Sequence, residues 1–239
     1  MSTYVYGITS GERAQLPEGL TGIGEPPRAV RLVTDSGLAA VVSDCPENLR
    51  PKRRDLLAHQ QVLSEAGRKS SVLPMRFGSV CDSDEDVLQV LSRHAEHYRS
   101  KLALLSGRVE YNVKAVHHED VVLHLVLAGN DELRALAEAN RKAGGGTYED
   151  RLRFGEKVAE AVRSREAWDA DLVRGALEPL AEGCRPGPES GGWFLNLSLL
   201  VAESAAERLL TTADRLREAH PQLDLKVNGP LPPYSFVDA

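Results

Sequence analysis

Histidine pairs are the residues that could most readily bind a metal ion or transfer a proton. His94 and His97 lie three positions apart in a predicted helix. The zinc motif H-E-x-x-H instead needs histidines four apart, with the glutamate next to the first. His117 and His118 directly follow a predicted strand, and neighbouring side chains of a strand point to opposite faces. We therefore interpret the first pair as a solvated helix face and the second as part of a turn.

His59 and Arg76 are the other candidates for chemistry. His59 lies on the apolar face of a predicted helix, where a histidine is more often a hydrogen-bonded core residue than a base. Arg76 lies inside the apolar run V-L-P-M-R-F-G-S-V at 72–80, which we predict to be a buried strand with Pro74 at an edge or bulge. Burying an unpaired guanidinium costs at least several kcal/mol, so we expect either an acidic or carbonyl partner for Arg76 or a side chain that extends to the sheet margin.

Common catalytic and cofactor motifs are missing from the sequence. It contains neither a G-x-S-x-G nucleophile elbow nor a G-x-x-x-x-G-K-S/T phosphate loop. Gly22-Ile23-Gly24 is followed by two prolines, which is incompatible with a dinucleotide fingerprint. Pro230 and Pro233 form a P-x-x-P pattern, which we interpret as a packed tail rather than a ligand for another protein. We expect no metal, no cofactor and no catalytic residue.

Composition limits the class of protein. The 239 residues exceed one average domain, and 42% hydrophobic with 27% charged residues predict well-formed cores, so we favour two domains of about 100 residues. A net charge of -6 argues against nucleic acid as a partner. Three widely spaced cysteines fit reduced thiols in a cytosol. The sequence shows neither a signal peptide nor an apolar run of about 18 residues, so we expect no membrane segment.

Periodicity predicts strands and helices alternating along the first half of the chain. Alternation predicts a strand at 3–8 and a hairpin at 29–43. A helix is predicted to start near Asn48 or Pro51, since proline suits the first helical position, and to run to about Gly67. Ser83-Asp84-Glu85-Asp86 is a capping box that opens a helix of about six turns ending near Gly107.

The second half should add a strand at 109–116, a helix at 131–142 and a long helix capped by Thr147 and Asp150. Residues 121–128 alternate like a strand yet follow two acidic residues; we favour a helix. Residues 183–192 are predicted as a loop, 193–201 as a central strand, 204–220 as a helix and 223–227 as the last strand.

This order of elements predicts an α+β protein of two domains, each a small mixed or antiparallel sheet with helices. The first domain is placed at 1–107 and the second at 108–239, the latter ferredoxin-like. Residues 229–237 should leave the sheet as a proline-rich tail that packs back through Tyr234 and Phe236 and sets the relative placement of the domains.

Four segments together resemble a known family. They are Y-V-Y-G-I at 4–8, V-L-P-M-R-F-G-S-V at 72–80, V-E-Y-N-V-K at 109–114 and N-G-P-L-P-P-Y-S-F-V at 228–237. In this order they resemble the gas vesicle accessory family GvpL/GvpF, over essentially the whole chain. One departure is Leu231, where the family usually has a tryptophan.

The resemblance implies a non-enzymatic, cytoplasmic protein associated with gas vesicles. Its implied partners are the small apolar shell protein and other accessory proteins of gas vesicle assembly. The alternative is a small-ligand-binding or hydrolytic enzyme with a pocket around Arg76 and His59. The candidates for structural or partner-binding roles are Arg76, Phe77, His59, Lys114, Pro230, Pro233, Tyr234 and Phe236.

Overall fold

The computed structural model describes residues 2–12, 14–68, 70–188 and 192–237. The chain divides into two compact units. The first contains the residues up to Glu110 and those from Gly229 onward, and the second is Tyr111–Asn228. The sequence placed the division at residue 107 and assigned the tail to the second domain. The tail instead groups with the first unit, because its side chains contact that unit's core.

The first unit is built on a sheet with β1 at its centre. Its elements are β1 (Thr3–Ser10), β2 (Arg31–Asp35), β3 (Leu38–Asp44), α1 (Arg53–Gly67), β4 (Val72–Pro74), β5 (Val80–Cys81), α2 (Asp84–Arg93) and α3 (Ala95–Leu105). The strand order is β2-β3-β1-β4, and β5 also pairs with β1. These neighbours run antiparallel, and the β1–β3 register shifts between Val5 and Gly7. The period of two places Tyr4 and Tyr6 on one buried face of β1.

The β2–β3 hairpin forms at the predicted turn. Asp35 pairs with Leu38, and the two residues between them, Ser36 and Gly37, have φ of 52° and 72°. Positive φ at both central positions is what a two-residue hairpin turn requires, so the hairpin prediction is confirmed.

The segment 72–80 differs from the prediction of one buried strand. Residues 75–79 form a connection between β4 and β5, in which the Ser79 N–H donates to the Arg76 carbonyl at 3.1 Å and Gly78 has φ of 95°. Pro74 ends β4 at the edge of the sheet, as predicted. The prediction of a buried Arg76 is wrong: the residue is exposed. Exposure avoids the desolvation cost that burial of the guanidinium would impose.

The helix predicted after residue 83 is two helices. Ser83 caps α2 by accepting a hydrogen bond from the Asp86 N–H at 3.2 Å, as predicted. The helical path is interrupted at His94, with φ of -110° and ψ of 18°, before α3 begins. The break involves neither glycine nor proline, so periodicity alone did not indicate it.

The rest of the chain forms a second sheet with helices. Its elements are β6 (Arg108–His117), α4 (Glu119–Gly129), α5 (Asp131–Lys142), α6 (Tyr148–Leu177), β7 (Gly183–Pro186), β8 (Leu195–Ala202), α7 (Ala206–Ala219) and β9 (Leu223–Leu231). The strand order is β7-β8-β6-β9, which gives β8 the internal position predicted for it. The chain order β-α-β-β-α-β is consistent with a ferredoxin-like arrangement. The α+β class is confirmed.

The structure confirms one of three predictions for the second half of the chain and differs from the other two. Residues 121–128 are helical, as favoured. The loop predicted at 183–192 begins with an edge strand, β7, antiparallel to β8, while residues 189–191 lie outside the described residues. The last strand continues through Pro230 to Leu231, although we expected Pro230 to end it. Both β7 and β9 are edge strands, and an edge tolerates proline because one side of its ladder is unused.

A substitution at Gly22 tests the packing around β1. A Cβ at Gly22 would collide with the Tyr6 hydroxyl, which accepts from the Ile23 N–H at 2.9 Å. We expect Gly22→Ala to lower the free energy of unfolding of the first unit by about 1–3 kcal/mol, as overpacking does. Urea denaturation measures the loss, and hydrogen exchange assigns it to this unit.

Gly155→Ala is the matched control. Gly155 lies within α6, and its Cβ would meet no heavy atom within 4 Å. Alanine should stabilise this helix by about 0.5–1 kcal/mol relative to glycine. Equal effects of the two substitutions would contradict the packing explanation.

Candidate functional site

Five rings pack together in the first unit, and we call them the aromatic cluster: Tyr4, Tyr6, His59, Phe77 and Tyr234. Strand β1 supplies the first two, α1 supplies His59, and the β4–β5 connection supplies Phe77. The ring centroids of Tyr4 and Tyr6 are 4.8 Å apart, and His59 lies 5.9 Å from Phe77 and 6.4 Å from Tyr234. The fold thus brings together His59, Phe77 and Tyr234, three of the candidates from the sequence.

Both ring nitrogens of His59 are engaged. Nε2 lies 3.1 Å from the Met75 carbonyl oxygen, which can only accept, so Nε2 carries the proton. Nδ1 then accepts from the Tyr4 hydroxyl at 2.8 Å, and that hydroxyl accepts from the Gly78 N–H at 3.3 Å. His59 is therefore a neutral core histidine that joins α1, β1 and the β4–β5 connection.

Burial determines the ionisation of the cluster. It lowers the pKa of His59, against a smaller opposing effect of the bond to the Met75 carbonyl. It raises the pKa of Tyr4 and Tyr6, and it raises that of Tyr234 to about 12. The rings stay neutral near pH 7, which suits packing and hydrogen bonding rather than proton transfer.

The tail is held by a buried carboxylate. Glu110 is 4% exposed and accepts from the Ser235 backbone N–H at 2.9 Å and the Ser235 hydroxyl at 2.7 Å. Pro233 and Phe236 on either side are buried. Two donors to one carboxylate, together with this apolar packing, order the tail against the first unit.

The remaining candidates lie outside the aromatic cluster. Pro230 is exposed on β9, and Arg76 is exposed in its turn. Lys114 belongs to the second unit, where its Nζ lies 5.5 Å from the centroid of Trp193. The Nζ of Lys226 lies 5.1 Å from the same ring, so Trp193 contacts two cations.

Asp169 is the main polar residue that sequence reasoning missed. It is fully buried and accepts hydrogen bonds from Arg165 Nε at 2.7 Å, His117 Nε2 at 2.9 Å and Gln222 Nε2 at 3.0 Å. Burial alone would raise the pKa of its carboxyl, but these donors outweigh burial and lower it. Asp169 precedes the buried Val173 by four positions, and this spacing on an apolar helical face was the available signal.

A cleft of about 550 Å³ opens between α4, α5 and α6. Its apolar lining includes Leu125, Leu133 and Trp168, and its rim carries an ion pair of 2.7 Å between Lys157 and Glu132. We call it the helical groove. Half-exposed apolar side chains beside a cavity are typical of a binding surface.

Metal ligation and membrane insertion find no support in the described part of the chain. Within these ranges, no three His, Cys, Asp or Glu residues are placed together so that they could hold a metal ion. Among the helices whose residues are described, none has both the length and the apolarity needed to cross a membrane.

Comparison with known proteins matches the whole chain to one family. The family model described as gas vesicle synthesis protein GvpL/GvpF matches residues 2–238. The chain is 57% identical over 238 residues to gas vesicle protein F of a Streptomyces species, covering 100% of both chains. It is 29% identical over 254 residues to gas vesicle protein L of the same strain, covering 98% of this chain and 92% of that protein.

Two crystal structures share the fold. They are gas vesicle protein GvpF from an Anabaena species, with a TM-score of 0.77 and 22% identity, and GvpF from Microcystis aeruginosa, with a TM-score of 0.72 and 23% identity. Each comparison covers 99% of this chain and 98% of the other. At these identities the likeness concerns the fold.

Alanine substitutions separate the roles of Arg76 and His59. Because Arg76 is exposed, Arg76→Ala should change the free energy of unfolding by no more than about 0.5 kcal/mol. His59→Ala removes a buried ring and leaves the Tyr4 hydroxyl and the Met75 carbonyl without their partner, so we expect a loss of about 2–4 kcal/mol. Thermal and urea denaturation measure both, and a larger loss for Arg76→Ala would contradict this assignment.

The lowered pKa of His59 predicts a pH dependence of stability. Below the ordinary value of 6.5 the unfolded chain takes up a proton that the folded state resists. The contribution of His59 to the free energy of unfolding should therefore be fully present above pH 6.5. It should fall as the pH drops toward the lowered pKa of the folded state, by at most about 1.4 kcal/mol per pH unit. The lowered pKa values of Asp84 and Asp169 change the stability only near and below pH 3.8, which is the ordinary pKa of an aspartate.

Denaturation between pH 7 and pH 5 measures this slope. The control His59→Gln is neutral at every pH and should reduce the slope, whatever its effect at pH 7. An unchanged slope in His59→Gln would show that other groups cause the dependence.

Proposed function

Because the chain belongs to the gas vesicle synthesis protein GvpL/GvpF family, we propose that it is a non-enzymatic accessory protein that binds the small apolar shell protein and other accessory proteins during gas vesicle assembly. The observation that carries this proposal is the family match over residues 2–238, which includes both units. The 57% identity to gas vesicle protein F supports it.

The physical role is to cover apolar surface before assembly. A shell subunit with an apolar face would aggregate in water unless another surface shields that face. This chain exposes large apolar side chains on its helices, among them Leu57 on α1 and Leu125 on α4. Such side chains can shield an apolar partner, and the net charge of -6 favours the solubility of the resulting complex.

The rival function, an enzyme or small-ligand binder around Arg76 and His59, has less support. Both nitrogens of His59 are committed to Tyr4 and Met75, so the ring has no free lone pair to act as a base. Arg76 lies at the surface. Neither residue lines the helical groove.

We divide the candidate residues between two roles on the basis of their burial. The structural role falls to His59, Phe77, Pro233, Tyr234 and Phe236, which lie in the aromatic cluster or the packed tail. The partner-binding role falls to Arg76, Lys114 and Pro230, which are exposed or half-buried.

Capture of the shell protein tests the proposal. The tagged chain and the shell protein of the same gas vesicle gene set are co-expressed, and the tagged chain is purified. We expect the shell protein to co-purify in soluble form, because its apolar face is covered, and to be insoluble when expressed alone. Co-expression of the shell protein with the tag alone is the control; shell protein at no more than this background level would refute the proposal.

A further inference from the structure

A polar cavity of about 320 Å³ lies within the first unit, and we call it the loop cavity. Its lining residues come from the loop after β1 (24–28), from the connection between β3 and α1 (46–49) and from the start of α1 (52–55). Ligand pockets in proteins begin at about 300 Å³, so the loop cavity has room for a small molecule. Neither Arg76 nor His59 lines it, so it is separate from the site considered for the rival function.

Arg28 brings an unsatisfied charged donor to the loop cavity. Its Nε is buried and has no hydrogen-bond partner in the part of the chain that the structure describes. The loop that carries it is fixed, because the Arg28 N–H donates to the Ile23 carbonyl at 3.0 Å and the Arg28 carbonyl accepts from the Gly22 N–H at 2.8 Å. A buried charged donor without an acceptor is unfavourable, so this nitrogen indicates that a ligand supplies the acceptor.

The start of α1 adds further donors to the same cavity. Lys52 is the N-cap residue and forms no side-chain capping bond, since an ammonium group can only donate. The N–H groups of the first helical turn are therefore left without a capping side chain at this position. An uncapped helix start also carries about half a positive charge, and phosphate groups commonly bind to such N–H groups.

Two of the carboxylates in the lining are already engaged. Glu25 lies 2.7 Å from the Arg54 guanidinium, and its side chain is 74% exposed. Asp55 accepts from the Gly24 N–H at 3.0 Å and lies 3.6 Å from the same guanidinium. Arg54 is thus the partner of both carboxylates, and neither of them is paired with Arg28.

The remaining charges of the lining are those of Arg28, Lys52 and Glu47. Among the described residues none of the three forms an ion pair within 4 Å, and Lys52 acts on Glu25 only at longer range. Two cations and the helix start outweigh the single exposed carboxylate of Glu47. A phosphate group carries a charge of about −1.5 to −2 at pH 7 and three strong acceptor oxygens, so it matches these donors better than a carboxylate with one charge and two oxygens.

We propose that the loop cavity binds the phosphate group of a small molecule, with Arg28 and Lys52 as its charged partners and the first turn of α1 as a source of N–H donors. Binding ties the loop after β1 to α1 and so stabilises the first unit. A few charge-assisted hydrogen bonds at a site open to solvent correspond to a dissociation constant on the order of 0.1–1 mM. This inference is independent of binding to the shell protein.

A titration of the full chain with inorganic phosphate, followed by NMR, tests the proposal. Chloride keeps the ionic strength constant, so that general screening by salt does not change. We expect saturable shifts of the Arg28 Nε–H signal and of the amide signals in the first turn of α1. Glycerol phosphate in place of inorganic phosphate identifies the source of the group: tighter binding assigns the cavity to a phosphorylated molecule, and equal binding assigns it to free phosphate.

Four single substitutions locate the site. Arg28→Gln should weaken phosphate binding at least about tenfold, because a hydrogen bond to a charged group is lost. Lys52→Gln should weaken it about threefold or more, and since Lys52 is exposed this variant should fold normally. Glu47→Gln removes the opposing charge and should tighten binding about two- to fivefold. Arg93→Gln is the matched control, because Arg93 is exposed on α2 and does not line the cavity.

Three results would overturn the proposal. One is the absence of saturable shifts at Arg28 Nε–H up to about 20 mM phosphate, well above the expected dissociation constant. Another is binding that both Arg28→Gln and Lys52→Gln retain while circular dichroism shows that they are folded. The third is an equal loss in Arg93→Gln, which would indicate attraction to the overall charge. Capture of the shell protein is measured separately, so its failure concerns the proposed function and leaves phosphate binding standing.

Discussion

The first unit depends on the need to hydrogen-bond two buried tyrosine hydroxyls. Tyr4 and Tyr6 are fully buried on β1, and an unpaired hydroxyl in such a place costs roughly 1–3 kcal/mol. Tyr4 is satisfied by His59 and the Gly78 N–H, and Tyr6 by Ser43 and the Ile23 N–H. Through these hydrogen bonds β1 is fixed to α1, to β3, to the connection between β1 and β2 and to the connection between β4 and β5. The same need explains the glycine at position 22, where any side chain would displace the Tyr6 hydroxyl.

Asp169 has the corresponding role in the second unit. A buried carboxylate is tolerated only when donors surround it, and here they come from α6 itself, from β6 through His117 and from the turn before β9 through Gln222. The tyrosine network bonds its side-chain polar groups internally, whereas in the Asp169 network the buried Nδ1 of His117 has no hydrogen-bond partner among the described residues. Large apolar side chains remain exposed on the helices of both units, among them Leu57 on α1 and Leu125 on α4.

Predictions from the sequence succeeded where the pattern involved only residues that are close together in the chain. The alternation around β1, β6 and β8, the N-cap at Ser83 and the capping box at Thr147 each involve neighbouring residues, so periodicity and side-chain chemistry sufficed. The site was only partly predictable. His59 was correctly identified as a core histidine, whereas the buried Asp169 was missed because two of its three partners, His117 and Gln222, lie 52 and 53 positions away along the chain.

By itself the sequence determined the α+β class, most of the elements and, through four motifs in order, the family. Only the tertiary structure decided whether residues 72–80 would be one strand or two with a turn, because that depends on how much of β1 is available for pairing. It also decided that Arg76 would be exposed and that the tail would join the first unit. These outcomes depend on solvent exposure and on contacts between residues far apart in the chain, such as Ser235 with Glu110, which no local pattern encodes.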